Sequence, residues 1–442
     1  MNVTHETLKA TQPTLFEGYR QTMTAGIEKT AESLNTFATL FDDWVVCYSG
    51  GKDSSCVATL VPQLIEGGQV PRPKSLRFLY ADTRMELPPL RNAAMGVMDV
   101  LRSKGYQCDV VLPEMNKRFF VYMFGRGVPP PGASFRWCTG MIKVDPMMKA
   151  LKDLREKNGK KFLMLTGVRV GESAARDARI ALSCGKDGAE CGQGWFQQST
   201  PADVADTLAP ILHWRVCHVW KWLRQWAPMG GFPTERVADS YGGEEAEETN
   251  ARTGCVGCPV ASRDTSLELL LKEEQWQYLK PLMGLRLLSN ELRLPHNRIR
   301  KQGKEFYADG RLVKNPNRMG PLTMEARRMG MARVIAIQDE VNANKPSGDP
   351  DYLLIDAEER AAIEQMIEAN TWPNGWSGEE GRADLPFDEI RKDGSEQLHL
   401  SGIFVDGCTE QAEIAEFEED DPVEVKKMND LLDSIQATRE AC

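Results

Sequence analysis

Short apolar runs alternate with longer segments of helical periodicity through the first half of the chain. Four runs are typical of buried strands: WVVCYS, SLRFLYADT, CDVVLP and KFLMLTGVR. Helical patterns follow three of them, in SSCVATLVPQLIEGG, LPPLRNAAMGVMDVLRSKG and VCHVWKWLRQW. Strands separated by helices of this length predict an α/β fold with a parallel sheet and right-handed crossovers. Ligands of such sheets bind at the carboxyl ends of the strands.

Other patterns flank this alternation. Apolar positions at helical spacing in residues 14–41 predict one or two leading helices. A smaller helical region, with a hairpin around Asp309-Gly310, is predicted by the patterns RDTSLELLLKEEQWQYLKPLMGLRLL and MEARRMGMARVIAIQDEVN. We therefore divide the chain into leading helices (1–41), an α/β domain (42–227), a cysteine-containing loop (228–260), a basic helical domain (261–345) and an acidic, partly disordered C-terminal region (346–442).

The composition is that of a globular protein. Its 442 residues, 41% hydrophobic and 27% charged, leave room for two or three domains. No apolar run approaches membrane-spanning length, and the first residues, MNVTHETLKATQPTLFEGYRQ, lack the apolar core of a signal peptide. We therefore expect a cytoplasmic protein without membrane contact. In that reducing compartment, eleven cysteines indicate metal or redox chemistry in preference to disulfides.

Charge is distributed unevenly along the chain. Residues 346–442 hold 26 acidic and 7 basic residues, which leaves 38 acidic and 47 basic residues in 1–345. The basic body suits a polyanionic partner. The acidic tail is either a solvated appendage or a competitor for the basic surface.

The basic residues concentrate in one segment. Between Arg286 and Arg333, 12 basic residues stand against 4 acidic ones. This density predicts contacts with DNA phosphates, although a solvated helical face would also account for it. The candidate contacts are Arg298, Arg300 and Lys301.

The stretch YSGGKDSS, residues 48–55, follows the first predicted strand. Its glycines permit positive φ and let backbone N–H groups approach an anion, while its lysine adds a positive charge. A Walker A loop would need a glycine and a hydroxyl residue where Val46 and Asp53 stand. Asp53 beside Lys52 instead predicts a grip on a pyrophosphate–Mg²⁺ unit, because a carboxylate near phosphate is tolerated when a cation lies between them.

The cysteines fall into groups. Cys255 and Cys258 form a CxxC pair, and Cys184 and Cys191 lie in a second Gly-rich loop, SCGKDGAECGQG. Four thiolates on two loops can hold either a zinc ion or a [4Fe–4S] cluster, and the spacing does not choose between them. Four other cysteines fall in apolar runs and are predicted to be buried packing residues: Cys47, Cys56, Cys108 and Cys217.

Four blocks in order resemble the PP-loop ATP pyrophosphatases and their phosphoadenylyl-sulfate reductase branch: SGGKDSS, YADTRMELPP, RWCTGMIKVDP and LTGVRVGESAARDAR. The resemblance implies an adenine nucleotide alpha-hydrolase-like fold and cleavage of ATP between its α and β phosphates. It places Asp82 near the nucleotide or its metal, although a capping role would also suit this residue. The released pyrophosphate would be held by Ser49, Gly50, Gly51, Lys52, Asp53 and Ser54. The catalytic residues implied are Lys52, Asp53, Cys138, Arg169, Glu172 and Arg176.

The same resemblance favours a cluster over zinc. Sulfonucleotide reductases hold a [4Fe–4S] cluster with a Cys-Cys pair near the position of Cys138 and a distal CxxC. Thr139 follows Cys138 here, which departs from that pair. Cys138 is therefore either a ligand in place of one of the other cysteines or a free thiol that relays sulfur. The implied ligands are Cys184, Cys191, Cys255 and Cys258.

Three further blocks, SYGGEE, RDTSLELL and NRMGPLTMEARRMG, extend a resemblance to the DndC family of bacterial DNA phosphorothioation systems over residues 15–342. The end of the chain, QATREAC, lacks the Glu-Cys-Gly motif of the reductases. The resemblance implies adenylation of a DNA phosphate by ATP, release of pyrophosphate and replacement of a non-bridging oxygen by sulfur.

The implied cofactors are ATP, Mg²⁺ and a [4Fe–4S] cluster. The implied partners are a cysteine desulfurase, other subunits of the phosphorothioation system and DNA. The alternatives are a sulfonucleotide reductase, a tRNA thiolase, or a non-catalytic ATP-binding subunit that bridges the desulfurase to DNA-handling proteins.

Overall fold

The computed structural model describes residues 22–38, 40–171, 201, 203–241, 254–261, 263–306, 309–391 and 393–398. The chain forms two compact units, Met1–Glu396 and Gln397–Cys442. All the elements that build the candidate site lie in the first unit. No helix in the described ranges is both long enough and apolar enough to cross a bilayer.

A five-stranded parallel sheet is the centre of the first unit. Its strands are β1 (Asp43–Tyr48), β2 (Ser75–Ala81), β3 (Gln107–Val111), β4 (Phe162–Leu165) and β5 (Ala205–Leu208). They lie in the order β3-β2-β1-β4-β5. This order places β1 at the centre, with Trp44 in register with Leu76 on one side and Leu163 on the other. The predicted α/β class with a parallel sheet is confirmed.

The helices are α1 (Met23–Ala38), α2 (Lys52–Glu66), α3 (Pro88–Ser103), α4 (Asp145–Asn158), α5 (Val216–Lys221), α6 (Ala227–Met229), α7 (Thr265–Leu270), α8 (Gly284–Glu291), α9 (Met324–Asn344) and α10 (Ala357–Glu368). Wider π-type turns span Val121–Gly125, Thr139–Val144 and Trp222–Trp226. Tighter 3₁₀ turns span Met115–Lys117, Glu235–Val237, Asp239–Tyr241, Glu274–Met283 and Pro295–Asn297. Two short strands complete the set, β6 (Glu389–Ile390) and β7 (Glu396–Gln397).

Strand periodicity divides the sheet into two buried faces. Trp44, Val46 and Tyr48 alternate with Val45 along β1, and side chains two residues apart point to the same face. The first three pack with α2 and α3 in the largest apolar core. Val45 packs on the opposite face with Leu151 of α4. Helices on both faces explain why the strands read as continuous apolar runs.

A second apolar core unites the helical region with the turns around Phe124. Arg327 of α9 is fully buried within it and donates hydrogen bonds to the backbone oxygens of Phe124 (2.7 Å) and Thr371 (3.0 Å). Tyr352 and Ile363 are also buried in this core, although they belong to the predicted acidic region 346–442. The described part of that region is therefore folded onto the helical core, because its apolar residues occur at helical spacing within an acidic background.

Candidate functional site

The loop between β1 and α2 forms the first part of the site. Gly50 has φ +74°, a conformation that favours glycine, and Gly51 precedes α2 without a side-chain cap on the helix. Ser49 Oγ lies 3.0 Å from Ser54 Oγ, which in turn donates to the Gly51 carbonyl at 3.0 Å. The loop thus turns the amino end of a 15-residue helix towards the carboxyl edge of the sheet. Such an end attracts anions.

Asp53 lies between two cations. Its carboxylate is 3.0 Å from Lys52 Nζ and 2.7 Å from Arg169 Nε. Arg169 is buried, and it also donates to the Trp214 carbonyl at 3.2 Å. Lys52 Nζ lies 5.2 Å from the centre of the Tyr241 ring. The structure therefore brings together three of the predicted catalytic residues, and it offsets the carboxylate with protein cations.

Gly167 holds the loop after β4 against the start of α2. A Cβ atom at this position would lie 2.6 Å from the Ser54 nitrogen and 2.8 Å from the Asp53 carbonyl oxygen. Backbone atoms cannot yield as a flexible side chain can, so a larger residue would push the two loops apart. This close approach lets Arg169, two residues later, reach Asp53.

Asp82 follows β2 at the same edge of the sheet and is buried. One carboxylate oxygen accepts a hydrogen bond from the Arg84 backbone N–H at 2.9 Å, and the other lies 3.5 Å from Arg91 Nε. Arg84 has φ +62°, and the Asp82 hydrogen bond helps to hold this turn. The helix that follows has Leu87 as its N-cap, so Asp82 caps a turn instead of a helix.

A cavity of about 310 Å³ opens beside this loop at the carboxyl ends of β1, β2 and β4. Its apolar wall includes Met147 and Met148 of α4, and its polar rim includes Ser49, Glu86 and Thr166. Glu86 Oε2 and Thr166 Oγ1 are buried and have no hydrogen-bond partner among the described residues. Buried polar atoms of this kind are normally satisfied, so they indicate a ligand that donates and accepts hydrogen bonds. An adenine base fits this size and polarity.

Lys143 connects the cavity to the cysteines. It lines the cavity and donates a hydrogen bond to the Cys255 sulfur. The charges of Cys255 and Glu86 raise the pKa of Lys143, while burial raises the pKa of the Cys255 thiol to about 11. Burial also raises the pKa of Glu86. One ammonium group therefore lies between the nucleotide cavity and a thiol.

The CxxC loop is built to present its two sulfurs. Val256 is fully buried between the two cysteines, and its N–H donates to the Met85 carbonyl at 2.7 Å. Gly257 has φ +61°, and a Cβ there would lie 2.5 Å from Leu285 Cβ. Asp264 accepts hydrogen bonds from the Gly257 N–H at 2.9 Å and the Leu267 N–H at 3.3 Å. The loop is thereby tied to the start of α7.

Cys138 lies beside this pair. It precedes the turn Thr139–Val144, and both Cys138 and Cys255 pack against the helical core. Burial, followed by the charge of Cys258, raises the pKa of Cys138. Three cysteine sulfurs from two loops therefore lie close enough to influence one another electrostatically. Among the described residues, no group of three His, Cys, Asp or Glu side chains is arranged to hold a metal ion.

Several predicted site residues lie outside the described ranges. They are Glu172, Arg176, Cys184 and Cys191. The prediction that these residues join the reacting end or the cluster stays a prediction. Among the predicted packing cysteines, Cys56 is buried and Cys47 and Cys108 are half-buried, but Cys217 is exposed. The prediction for Cys217 is wrong because this residue lies on the outward side of α5.

The basic segment is arranged differently from the expectation. Arg298 and Arg300 are buried, and Arg298 donates hydrogen bonds to the backbone oxygens of Gly320 (2.6 Å) and Met319 (3.1 Å). Arg300 donates to the Asn317 carbonyl, and its guanidinium lies 3.8 Å from the centre of the Phe387 ring. Lys301 pairs with Glu305 at 2.8 Å. These arginines stabilise loops, so replacing them would test folding more than phosphate binding.

Residues 43–227 match the family model of the phosphoadenosine phosphosulfate reductase domain. The matched range runs from the first residue of β1 to the first residue of α6, and it contains the 49–54 loop, Cys138 and Arg169. This part of the chain is therefore a phosphoadenosine phosphosulfate reductase-like domain with the PP-loop architecture.

Two uncharacterized proteins of Methanocaldococcus jannaschii are each 25% identical to this chain, over 216 and 227 residues. The alignments cover 48% and 51% of this chain, and 41% and 38% of the relatives. The chain thus spans about two fifths of the length of these curated relatives.

Two solved structures show a more distant likeness. The phosphoadenylyl-sulfate reductase of Candida auris, in a phosphate complex, has a TM-score of 0.32 at 13% identity and covers 54% of this chain and 93% of that protein. The U34-tRNA thiolase of Methanococcus maripaludis, with its [4Fe-4S] cluster, has a TM-score of 0.30 at 13% identity and covers 62% and 82%. Scores this low carry no argument about function.

Sequence reasoning missed most of the cavity. Glu86 lies within the block YADTRMELPP, and Met147 and Met148 follow the block RWCTGMIKVDP, so their neighbourhood was identified without their role. Thr166 belongs to the block LTGVR, where attention falls on the arginine. A methionine pair directly after a basic residue, in a segment that returns to the sheet, was the available signal.

Proposed function

We propose that this protein is an ATP-dependent sulfur-transfer enzyme of DNA phosphorothioate modification. The observation that carries the proposal is the position of Lys143, which lines the nucleotide cavity and donates a hydrogen bond to Cys255. A phosphate activated at the cavity would be within reach of both a cation and a thiol. ATP pyrophosphatase chemistry and sulfur transfer could then proceed on one bound substrate.

In this proposal the adenine base occupies the methionine-lined cavity, and the β and γ phosphates occupy the 49–54 loop with their Mg²⁺ ion. A non-bridging oxygen of a DNA phosphate attacks the α-phosphorus of ATP, and the bond to pyrophosphate breaks. Lys52 and the loop N–H groups offset charge on the leaving pyrophosphate. Sulfur then bonds to the DNA phosphorus, and AMP departs with the displaced oxygen.

Arg169 has a positioning role in this scheme. It keeps Asp53 ionised and fixed, which leaves Lys52 able to turn from Asp53 to a phosphate. Lys143 is placed to stabilise a negatively charged oxygen or sulfur at the cavity rim. A cysteine desulfurase would deliver the sulfur as a persulfide, and other phosphorothioation subunits would assemble with the enzyme on DNA.

The cysteine donors fit an iron–sulfur cluster in chemical type. Cys138, Cys255 and Cys258 are thiols on two loops that meet beside the core, and thiolates are the ligands that such clusters prefer. We propose that these three residues, with Cys184 or Cys191 as a fourth donor, hold a [4Fe–4S] cluster. When bound, the cluster would supply iron atoms that bind sulfur. Lys143 would then fix the orientation of Cys255 towards the cavity.

Pyrophosphate release tests the proposed activity. With ATP, DNA and a persulfide source, Lys52→Ala should reduce pyrophosphate release by at least about 100-fold, because it removes charge at the leaving group. Lys74→Ala is the matched control, since Lys74 is exposed and pairs with Asp42 at 3.0 Å. Full pyrophosphate release by Lys52→Ala would remove the loop from the mechanism. Unchanged release without DNA would instead favour another acceptor.

Metal analysis after anaerobic purification tests the proposed cluster. Cys138→Ser, Cys255→Ser and Cys258→Ser should each lose iron, acid-labile sulfide and the brown absorbance, because serine is a poor iron ligand. Cys217→Ser should keep all three, since Cys217 is exposed on α5. A colourless wild type that contains zinc and no iron would contradict the cluster.

A further inference from the structure

A second cavity, of about 610 Å³, lies between the loop that leads to Cys138 and the basic segment. We call it the Phe135 groove. Its walls combine the 128–135 loop with residues 315–321, and Pro373 and Trp376 lie at its margin. The groove is separate from the nucleotide cavity, because no residue lines both. Its volume is that of a small-ligand site and would admit a nucleoside.

Aromatic rings line this groove. The Phe135 side chain is 51% exposed, although a large apolar side chain is normally buried. Trp376 and Tyr122 also line the groove, and the Tyr122 ring lies 4.9 Å from that of Trp137, next to Cys138. Exposed rings at a groove offer flat faces on which bases can stack.

The charge of the groove is positive. Its lining includes Arg293, Arg298 and Arg318, and no aspartate or glutamate is among the described residues that line it. Arg298 is buried and fixed by backbone carbonyls, so its charge cannot swing away. The Arg318 side chain is 49% exposed and pairs with Glu305 at 3.1 Å, which lies outside the lining. The groove therefore complements a polyanion that also carries planar rings.

Arg293 ties the groove to the cysteine loops. It donates to the Pro131 carbonyl on the loop leading to Cys138, and to the Pro259 carbonyl, at 3.4 Å, directly after Cys258. The Trp137 indole N–H donates to the Pro129 carbonyl at 3.0 Å, which fixes the same loop. A strand seated in the groove would therefore continue beside the three cysteines.

We propose that the Phe135 groove binds one unpaired nucleotide of the DNA strand, with its base against Phe135 and Trp376 and its phosphates near Arg293 and Arg318. The choice of DNA rests on the proposed function, whereas the choice of an unpaired nucleotide rests on the groove itself. A base inside a duplex has no free face for these rings. The groove thus selects single-stranded or locally opened DNA and holds the neighbouring phosphate at the reacting end.

Fluorescence anisotropy with a labelled single-stranded DNA of about 12 nucleotides tests this inference on the full chain. Phe135→Ala should weaken binding about tenfold, since base stacking on an aromatic ring is worth about 1 to 3 kcal/mol. Arg318→Ala should weaken binding and reduce the slope of log affinity against log salt by about one. Both side chains are substantially exposed, so neither variant opens a cavity in the core.

The matched controls are Phe306→Ala and Arg311→Ala. Phe306 is 60% exposed and lies outside the groove lining, and the Arg311 side chain is 80% exposed and pairs with Asp309. Both controls should bind as the wild type does. An oligonucleotide of abasic residues should bind wild type and Phe135→Ala equally, because it has no base to stack.

Wild-type affinity in both groove variants, or equal affinity for the single strand and its duplex, would overturn the proposal. Tighter binding of an RNA of the same sequence would overturn the choice of DNA. The assay contains no ATP and no sulfur source. A protein that binds DNA through the groove but releases no pyrophosphate would therefore contradict the proposed function alone.

Discussion

Asp53 is a buried carboxylate shared by two cations, and the two are not equivalent. Arg169 is buried and fixed by a second hydrogen bond to the Trp214 carbonyl, whereas Lys52 is linked to Asp53 at the open end of the loop. A rigid guanidinium and a flexible ammonium divide the work, since one holds the carboxylate and the other can reach a ligand. The residue order Lys-Asp therefore suits a loop that binds phosphate reversibly.

At the same scale, Asp239 predicts a pH dependence of stability. Burial, then the charge of Glu273, raises the pKa of Asp239 from 3.8 to about 6. The folded protein thus binds the proton more tightly than the unfolded chain, so this residue lowers the free energy of unfolding as pH rises from about 4 to 6. Asp239→Asn should be more stable than wild type by about 1 to 2 kcal/mol at pH 7, after allowance for partial exposure.

At pH 4 the advantage of Asp239→Asn should largely disappear, because the wild-type carboxyl is then protonated in the folded state. Urea denaturation of both proteins at the two pH values measures the difference directly. An advantage of the same size at both pH values would show that the substitution acts through packing and not through ionisation.

At the scale of elements, the strands and the loop were predictable because their signals are local. β1, β2, β3 and β4 are apolar runs bounded by turns, and YSGGKDSS announces its turn by its glycines. β5 was missed because its four residues include Asp206 and Thr207, and it forms by pairing with β4. The nucleotide cavity was missed because it exists once α4 packs across the sheet.

The groove and the basic segment show the same limit. Charge density along the sequence indicated an anion-binding surface, but it did not tell which arginines point outward. Arg298 and Arg300 bind backbone carbonyls, whereas Arg318 is half exposed. Composition measures how much charge a segment carries, and tertiary packing decides where the charge lies. Pairs such as Asp53 and Arg169, 116 residues apart, belong to the second class.

Helix α10 is joined to the α/β domain by ion pairs at its amino end. Arg118 lies 3.0 Å from Glu359, and Arg84 lies 3.0 Å from Asp356. Glu359 is almost fully buried, and burial raises its pKa. Arg118→Ala should therefore lower the free energy of unfolding by about 3 kcal/mol, because it strands a buried carboxylate.

The control for Arg118→Ala lies on the same helix. Arg360 pairs with Glu364 at 2.9 Å, and both side chains are largely exposed, so Arg360→Ala should change the free energy of unfolding by less than about 0.5 kcal/mol. Adding Glu359→Gln to Arg118→Ala should restore part of the loss by removing the stranded charge. Equal losses for Arg118→Ala and Arg360→Ala in urea denaturation would contradict a buried ion pair.

At the scale of the whole molecule, the acidic residues separate into two groups. Asp356 and Glu359 lie in the described region and offset arginines of the α/β domain. Residues 399–442 carry 12 acidic and 3 basic residues, a net charge of −9. These charges are covalently linked to a chain whose first 345 residues carry a net charge of +9. A polyanionic segment on a basic body raises the local concentration of a competitor for nucleic acid.

Removing residues 399–442 should therefore tighten binding of single-stranded DNA severalfold at about 50 mM salt and change it little at about 500 mM, where the Debye length falls to a few ångströms. The deletion leaves every described residue in place. Anisotropy across a salt series gives both affinities, and a replacement segment with the acidic residues changed to Asn and Gln separates charge from length. If that neutral segment weakens binding as much as the natural one, the tail acts by excluded volume. If all three proteins bind alike at low salt, the tail and the DNA surface are independent.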